Sequence, residues 1–304
     1  MKPDQASATA KVIAAATLLL ASDPATAQAV APGAASLCGH FLATSWADRL
    51  LARTATRPTT RWCWRVLERL THPGIIAHYW RRKRWIEAHC VKAMEQGVAR
   101  VIVIGAGLDT LALRLAPEWP EVEWIELDHP ATQRLKQRGL SQAGVVIPSN
   151  LTLQALDLSA APLPVALMND ERPTLVVLEA VLMYLSEANV VHLLRDQLAQ
   201  LSTAPLRLIF SFMVRWPDGT VGFRPASKWV NFWLAWRSER FKWALEPAQL
   251  TAWLAQHGFV VLAQAEPPFL DTQRPTSESR LQGENLVLCS SGYAGVSLLA
   301  GGEK

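Results

Sequence analysis

The chain has few of the residue types that build metal sites and disulfide scaffolds. Its 304 residues include four cysteines and seven histidines. No two cysteines have metal-ligand spacing, no Cys-x-x-Cys occurs, and no His-x-x-x-His pair is present. The sequence therefore predicts neither a disulfide framework nor a zinc site, and we expect no metal. Free thiols are typical of a reducing compartment, which predicts a cytoplasmic protein.

Charged residues are also scarce, at 18% of the chain, and the net charge is only +4. This excludes the dense basic surface of a dedicated nucleic-acid-binding protein, so nucleic acid is not the expected partner. Hydrophobic residues make up 50%, which is enough for a large core and too many for a disordered chain. Beyond the N-terminal segment no run reaches about 18 apolar residues, so no membrane span is expected.

The N-terminal stretch KVIAAATLLLASDPATAQA allows two interpretations. Lys11, the apolar run and the small residues Ala25 and Ala27 resemble a signal peptide. However, ten residues precede Lys11, and the run is rich in alanine and too short to span a bilayer. We therefore favour an amphipathic or buried helix that ends at Asp23-Pro24.

The chain divides into a helical part and a part in which strands alternate with helices. Residues 1–95 show helical patterns broken by proline and glycine, and we expect them to form a cap over the substrate region. Residues 96–304 predict an α/β fold with a mostly parallel, doubly wound sheet, to which a tryptophan-rich insertion or lid at 213–245 is added. We expect one compact unit. The predicted strands are RVIVI, EVEWIELD, NLTLQALDL, TLVVLEAVLMYL, LRLIFSF, FVVLAQA and NLVLCS.

The first predicted strand runs into a glycine-rich turn, and the next three end in acids. The stretch VIVIGAGLDT places two glycines and then Asp109 directly after the strand. Ligands of open parallel sheets bind outside the carboxyl ends of the strands, so these residues are expected to share one site. The strand-end residues are Gly105, Ala106, Gly107, Asp128, Asp157 and Glu179.

Acids in these places disfavour a phosphate and favour a cationic ligand. A pyrophosphate needs amide donors and positive charge at the glycine turn, where Asp109 would repel it. Thr110 also stands where a dinucleotide fingerprint has its third glycine. S-adenosylmethionine carries a sulfonium, an ammonium, a ribose diol and an adenine but no phosphate, and carboxylates can accept hydrogen bonds from these groups. The alternative for each single acid is a helix N-cap, since helices begin where these strands end.

These segments resemble the leucine carboxyl methyltransferase family of class I S-adenosylmethionine-dependent O-methyltransferases. The resemblance is carried by VIVIGAGLDTLALRL, EWIELDHPATQRLK and LVVLEAVLMYL, within about residues 75–200. It implies a Rossmann-like class I methyltransferase fold, S-adenosylmethionine as the cofactor and S-adenosylhomocysteine as the product. The sequence departs from many bacterial relatives at Leu111, where they carry arginine.

The resemblance also implies roles for individual residues. The glycine turn would line the methionine part of the cofactor, Asp128 would hold the ribose, and Asp157 with the Leu158 backbone would hold the adenine. Tyr184 falls at a substrate-side tyrosine and is the candidate catalytic residue. The implied cofactor-binding residues are Lys11, Arg82, Gly105, Ala106, Gly107, Asp109, Asp128, Asp157, Leu158 and Glu179.

The amino-acid end of the cofactor is expected to meet charged residues. Glu179 would meet its ammonium, and Arg82 in RRKRWIE matches an arginine that pairs with its carboxylate. Arg81 and Arg84 are alternatives to Arg82. Lys11 in TAKVIA matches a lysine that assists there.

We expect methyl transfer to an oxygen, and foremost to a carboxylate of a small molecule or a protein terminus. A carboxylate is ionised at neutral pH and needs no general base, whereas a phenol or alcohol needs one. The sequence offers no evident base, because His129 falls on the cofactor side and His192 in mid-helix.

Three alternatives stay open at this point. A methyltransferase of the same family that modifies RNA or tRNA would use the basic stretch Arg57–Arg84 and stack bases on tryptophans, although a solvated helix face accounts for those residues equally. An NAD(P)-binding Rossmann oxidoreductase would share the strand–glycine–helix start. A cofactor-binding protein without an acceptor site is the third.

Overall fold

The computed structural model describes residues 6–225, 241–266 and 281–291. Residues 6–95, all described, are helical and contain no strand, as expected. None of the helices in the described part of the chain is long and apolar enough to cross a membrane. The helices of this part are α1 (Ala8–Ser22), α2 (Ala34–Phe41), α3 (Trp46–Thr56), α4 (Pro58–Thr71) and α5 (Ile75–Glu95).

Helix α1 is the apolar N-terminal segment, and it is packed into the protein. The Ser7 hydroxyl accepts a hydrogen bond from the Ala10 N–H and caps the helix, which ends at Asp23 as predicted. Every residue from Ala14 to Leu20 is buried. The expected buried helix is therefore confirmed for this segment.

All of the predicted strands form, and they join one seven-stranded sheet in the order β3-β2-β1-β4-β5-β7-β6. Strands β1 to β5 pair in parallel, while β7 runs antiparallel to both of its neighbours. The predicted α/β fold with a mostly parallel, doubly wound sheet is confirmed. The strands are β1 (Arg100–Ile104), β2 (Glu123–Asp128), β3 (Leu151–Ala155), β4 (Thr174–Leu178), β5 (Leu206–Met213), β6 (Phe259–Ala265) and β7 (Glu284–Ser291).

Helices cover both faces of the sheet, which explains why its central strands are continuous apolar runs. Along β1, Val101 and Val103 join the cluster that includes α1, α2 and α5, whereas Ile102 and Ile104 join the cluster on the other face. Side chains alternate between faces along a strand, so a strand buried on both faces has no polar alternation. The helices that follow β1 are α6 (Leu111–Leu115), α7 (Pro130–Gln142), α8 (Glu187–Val191) and α9 (Leu250–Gln256).

The strand order reverses between β1 and β4, and this positions the ligand crevice. The chain leaves β1 toward β2 on one side, and β4 pairs with β1 on the other side. Crevices of this kind open at the carboxyl ends of the strands. Residues 226–240 of the lid expected at 213–245, including Trp229, Trp233 and Trp236, lie outside the described residues.

Helices α2 and α7 approach closely at Gly139, and this contact can be tested. A Cβ at Gly139 would lie 2.7 Å from the His40 carbonyl oxygen and 2.9 Å from the Phe41 Cα. We expect Gly139→Ala to lower the free energy of unfolding by about 1–3 kcal/mol, because backbone atoms must move apart. Urea denaturation measures this change.

The matched control is Gly39→Ala, in helix α2, where the nearest atom to an added Cβ is Leu18 Cδ2 at 4.0 Å. Alanine stabilises a helix interior relative to glycine, so this variant is expected to gain up to about 1 kcal/mol. A loss of stability in the control, or a gain in Gly139→Ala, would contradict the packing described.

Candidate functional site

A cavity of about 280 Å³ opens at the carboxyl ends of the central strands, and we call it the strand-end cavity. The turn after β1 and the ends of β2 and β4 line it on the sheet side. The start of α1 and the middle of α5 close it from the helical side. Its sequence-predicted lining residues are Arg82, Gly105, Ala106, Gly107, Asp109, Asp128, Asp157, Leu158, Glu179 and Tyr184.

The turn after β1 requires its glycines. Gly105 has φ +70° and Gly107 has φ +55°, a region that residues with a Cβ rarely occupy. A Cβ on Gly105 would also overlap the Val181 side chain. The Gly107 N–H donates to the Asp128 carboxylate, so the turn and the end of β2 are joined directly.

Asp128 is buried at the end of β2 and faces the strand-end cavity. It accepts hydrogen bonds from the backbone N–H groups of Gly107 and His129. Burial raises the pKa of its carboxyl to about 6 in spite of those two donors. Asp128 is not a helix N-cap, because His129 holds that position and its ring accepts from the Ala131 N–H.

Helix α5 brings two cations against the acids at the ends of β1 and β4. Lys83 Nζ lies 2.8 Å from Asp109 Oδ1 and 3.1 Å from Glu179 Oε1. Arg82 Nη2 lies 2.7 Å from Glu179 Oε1, and Arg82 Nη1 lies 2.7 Å from Glu284 Oε2 on β7. Both cations are held by carboxylates in this network, which favours their protonated, charged forms.

The network fixes the ionisation of its members. Burial alone would raise the pKa of Asp109, but the adjacent Lys83 ammonium lowers it to about 2. Burial alone would likewise raise the pKa of Glu284, but the adjacent Arg82 guanidinium lowers it to about 2. The pKa of Lys83 is raised, because Asp109 and Glu179 outweigh its burial. All of these groups are therefore charged at neutral pH.

Asp157 lies at a more open part of the rim, after β3. Its Oδ1 accepts from the Ser159 N–H at 2.9 Å and from the Ser159 hydroxyl at 2.6 Å. These hydrogen bonds lower the pKa of the Asp157 carboxyl. His129 Nε2 lies 3.6 Å from Asp157 Oδ2, so the two residues form one edge of the cavity.

Lys11 is the one predicted cofactor residue that the structure does not bring to the strand-end cavity. Its Nζ lies 2.9 Å from Asp48 Oδ1 on α3, and it is not among the described residues that line the cavity. Lys83 on α5 is the lysine that lies close to Asp109 and Glu179. The match in TAKVIA was too short to decide the direction of the Lys11 side chain, which depends on how α1 packs against α3.

Several lining residues were not predicted from the sequence. The sequence places Lys83 only within a basic run, whereas its neighbour Arg82 matches an arginine of the family. Both line the cavity because α5 passes the strand ends at this turn. Lys242 and Ser7 also line the cavity, and no motif marked them. Thr9, Ala10 and Ile13 of TAKVIA line it as well, although Lys11 of the same motif does not.

A smaller chamber of about 80 Å³ adjoins the strand-end cavity, and we call it the side chamber. The two spaces share Thr9, Ile13, Arg82, Ala180 and Tyr184. Tyr184 therefore lies between them. The other lining residues of the side chamber are Val12, His72, Ile75, Tyr79, Met183, Phe223, Phe241 and Glu284.

Similar proteins of known sequence are candidate S-adenosyl-L-methionine-dependent methyltransferases. SCO7813 of Streptomyces coelicolor is 29% identical over 187 residues, which cover 59% of this chain and 60% of that protein. YktD of Bacillus subtilis is 34% identical over 74 residues, which cover 23% of this chain and 24% of that protein. The matched segments thus span less than two thirds of either relative.

Solved structures with a similar fold share little sequence with the chain. Magnesium protoporphyrin IX methyltransferase from Synechocystis with bound S-adenosylhomocysteine is 14% identical, with a TM-score of 0.44 over 68% of this chain and 80% of that one. A candidate O-methyltransferase from Nostoc punctiforme is 15% identical, with a TM-score of 0.46 over 83% and 72%.

The family itself is identified by a match to its sequence model. The model described as leucine carboxyl methyltransferase matches residues 14–197, more than half of the chain. This range contains the predicted motifs from the glycine turn to Tyr184. The chain belongs to the leucine carboxyl methyltransferase family, a family of S-adenosylmethionine-dependent methyltransferases.

Proposed function

We propose that the protein transfers a methyl group from S-adenosylmethionine to an oxygen atom of its acceptor. The observation that carries this proposal is the gathering of the strand-end acids around one cavity beside the glycine turn. In the strand-end cavity Asp109 and Glu179 are paired with Lys83 and Arg82, whereas Asp128 and Asp157 have no lysine or arginine partner among the described residues. The cavity therefore suits a ligand with hydrogen-bond donors and net positive charge.

The residues present fit the parts of this cofactor. Asp128 keeps lone pairs free beside its two backbone bonds and would accept from the ribose hydroxyls. Asp157 and the Leu158 backbone would hold the adenine at the open edge. Glu179 would meet the ammonium, with the glycine turn, including Ala106, along the methionine part. Lys83 joins Arg82 as a candidate partner of the cofactor carboxylate, because Arg82 already pairs with both Glu179 and Glu284.

The chain's contribution to the reaction is binding and orientation. When bound, S-adenosylmethionine supplies a methyl group on a sulfonium, and the new C–O bond forms as the C–S bonding pair returns to sulfur. The wall of α1 and α5 closes the cavity opposite the sheet and excludes water from the reacting atoms. Holding donor and acceptor in line is worth several kcal/mol of the barrier, about 7–11 in well-oriented model reactions.

The structure bears on which type of oxygen group accepts the methyl group. The sequence argument favoured a carboxylate of a small molecule or a protein terminus because no general base was evident. The structure places His72, a histidine that the sequence argument did not consider, in the wall of the side chamber. A carboxylate acceptor would still find a cationic partner in Lys242 at the wall of the strand-end cavity.

The alternatives receive less support from the described geometry. On the basic helix α4, the Arg61 guanidinium donates to the Ser22 carbonyl at 2.8 Å, and Arg65 pairs with Asp23. These contacts account for part of the basic face within the fold itself. For NAD(P), the Asp109 carboxylate directly follows the glycine turn, where a pyrophosphate would need amide donors and positive charge, and the nearby Lys83 is already paired with Asp109 and Glu179.

Asp128→Asn tests the cofactor site. The variant keeps the shape of the side chain but replaces an acceptor oxygen with a donor, so a ribose hydroxyl loses its partner. We expect the affinity for S-adenosylmethionine, measured by calorimetry, to fall tenfold or more, in line with a cost of about 1–3 kcal/mol for an unpaired buried group. Glu123→Gln, at the other end of β2, is the control and should bind normally. Equal affinities in the wild type and Asp128→Asn would refute this placement of the ligand.

The same variant should become more stable relative to the wild type as the pH rises. The Asp128 carboxyl has a pKa of about 6 in the folded protein and 3.8 as its ordinary value. The folded state therefore binds the proton more tightly, and the free energy of unfolding falls as pH rises between these values. Asparagine does not ionise but loses one of the two backbone hydrogen bonds at every pH. We therefore expect the free energy of unfolding of Asp128→Asn, relative to the wild type, to shift in favour of the variant by about 1–3 kcal/mol between pH 4 and pH 7.5. Denaturation at both pH values measures this; a difference of equal size at both would show that Asp128 titrates normally.

A further inference from the structure

We propose that the side chamber binds an acceptor that carries a hydroxyl group on an aromatic ring or a similarly apolar group. We assign His72 as the general base for that hydroxyl. This inference rests on the proposed function and specifies its acceptor. It departs from the carboxylate expected from the sequence.

The position of the side chamber makes it the natural place for an acceptor. It shares Arg82, Ala180 and Tyr184 with the strand-end cavity, at the end of that cavity where the methionine part of the cofactor is expected. A molecule in the chamber would thus reach the methyl group without crossing the adenine and ribose positions.

The lining of the side chamber selects an apolar body. Ile75, Met183, Phe223 and Phe241 contribute aliphatic and aromatic surface, and Tyr79 adds a further ring. Burial raises the pKa of Tyr79 to about 12, so its phenol stays neutral. Apolar walls with few polar groups are typical of pockets that hold flat organic ligands.

The charges that border the chamber are already satisfied. Arg82 is held by Glu179 and Glu284, and His78 Nε2 lies 2.7 Å from Glu284 Oε2. Among the described lining residues of the side chamber, Arg82 is the only cationic side chain. A carboxylate placed here would have to compete with two buried glutamates for it, whereas a neutral hydroxyl pays no comparable desolvation cost.

His72 is the polar group of the chamber that remains available. It ends α4, is 7% exposed, and packs its ring edge-on against Phe223 with centroids 5.5 Å apart. Its ring makes no hydrogen bond or ion pair with any side chain or backbone group in the described part of the chain. A neutral imidazole has one nitrogen that accepts a proton, so His72 can meet a hydroxyl inside the chamber.

The surroundings keep His72 in the form that a base needs. Burial lowers the pKa of its imidazole, which is therefore neutral at neutral pH. Among the described residues, the ionisable groups on the elements packed around it are Glu68 on α4, Tyr79 and Arg82 on α5, Tyr184 after β4, Glu284 on β7, and His78 across the Phe223 ring. Arg82 and Glu284 largely offset each other, and the two tyrosines lie in the same wall.

The step assigned to His72 is a single proton transfer. The acceptor O–H bond breaks, its proton goes to the neutral imidazole nitrogen, and its electron pair stays on oxygen for the new bond to carbon. The imidazolium then releases the proton to solvent. Positioned bases of this kind contribute about 10²–10⁴-fold to a rate.

The first measurement is binding, with 4-methylphenol and 4-methylbenzoate as matched probes. Calorimetry is carried out on the full chain saturated with S-adenosylhomocysteine. We expect 4-methylphenol to bind at least tenfold more tightly than 4-methylbenzoate. Ile75→Trp, which fills the chamber, should abolish binding of the phenol while S-adenosylhomocysteine still binds. Preference for the benzoate, or phenol binding that survives Ile75→Trp, would overturn this inference and leave the proposed function intact. Failure of S-adenosylhomocysteine to bind would instead count against the proposed function.

The second measurement concerns the role of His72. We expect His72→Gln to bind 4-methylphenol within threefold of the wild type but to methylate it at least 100-fold more slowly, because the pocket persists while the base is lost. The wild-type rate should rise with pH through one ionisation below pH 6.5, the ordinary value for histidine, and His72→Gln should lose this ionisation. His192→Gln, an exposed histidine, is the control and should behave as the wild type. A bound phenol that the wild type does not methylate, or an unchanged pH profile in His72→Gln, would refute the assignment.

Discussion

The pairing of Arg82 and Lys83 with buried acids is the interaction on which the rest of the site depends. These two neighbours on α5 meet Asp109 after β1, Glu179 after β4 and Glu284 on β7. An acid buried without its partner costs about 3–5 kcal/mol, so no member can be moved without penalty to the others. The network therefore ties the helical layer to three separate strands at the edge where the cavity opens.

Two acids on the same rim have pKa values that their neighbours shift in opposite directions. Lys83 holds the pKa of Asp109 at about 2, whereas burial without a cation raises that of Asp128 to about 6. Asp109 is thus a permanent charge balanced within the protein. Asp128 is a buried carboxylate that keeps free acceptor lone pairs, and the proposed ligand hydroxyls would donate to them. Its burial thus lowers the stability of the free protein and favours binding of a ligand with such donors.

The sequence was sufficient for the fold and for the acids because both depend on local patterns. Apolar runs marked the strands, and each acid followed from its place at a strand end, as Asp128 and Glu179 illustrate. Glu284 and His72 could not be found this way, since each reaches the site from a distant part of the chain. His78 and Glu284 are 206 residues apart in sequence but are hydrogen-bonded. For Lys11, the motif match implies a place near the cofactor, whereas the structure pairs its side chain with Asp48 on α3.

The helical layer closes the site and also supplies cationic and basic side chains that the strand ends lack. The strand ends carry glycines and acids and, taken alone, would form a negative crevice with no cation. Helix α5 adds the balancing charges, and the turn between α4 and α5 adds the imidazole of His72. Since α1 and α5 also bury their apolar faces in the same cluster as β1, the cofactor side and the acceptor side are fixed by one packing arrangement. A change that shifts α5 along the sheet would therefore disturb the charge balance at Asp109 and the shape of the side chamber together.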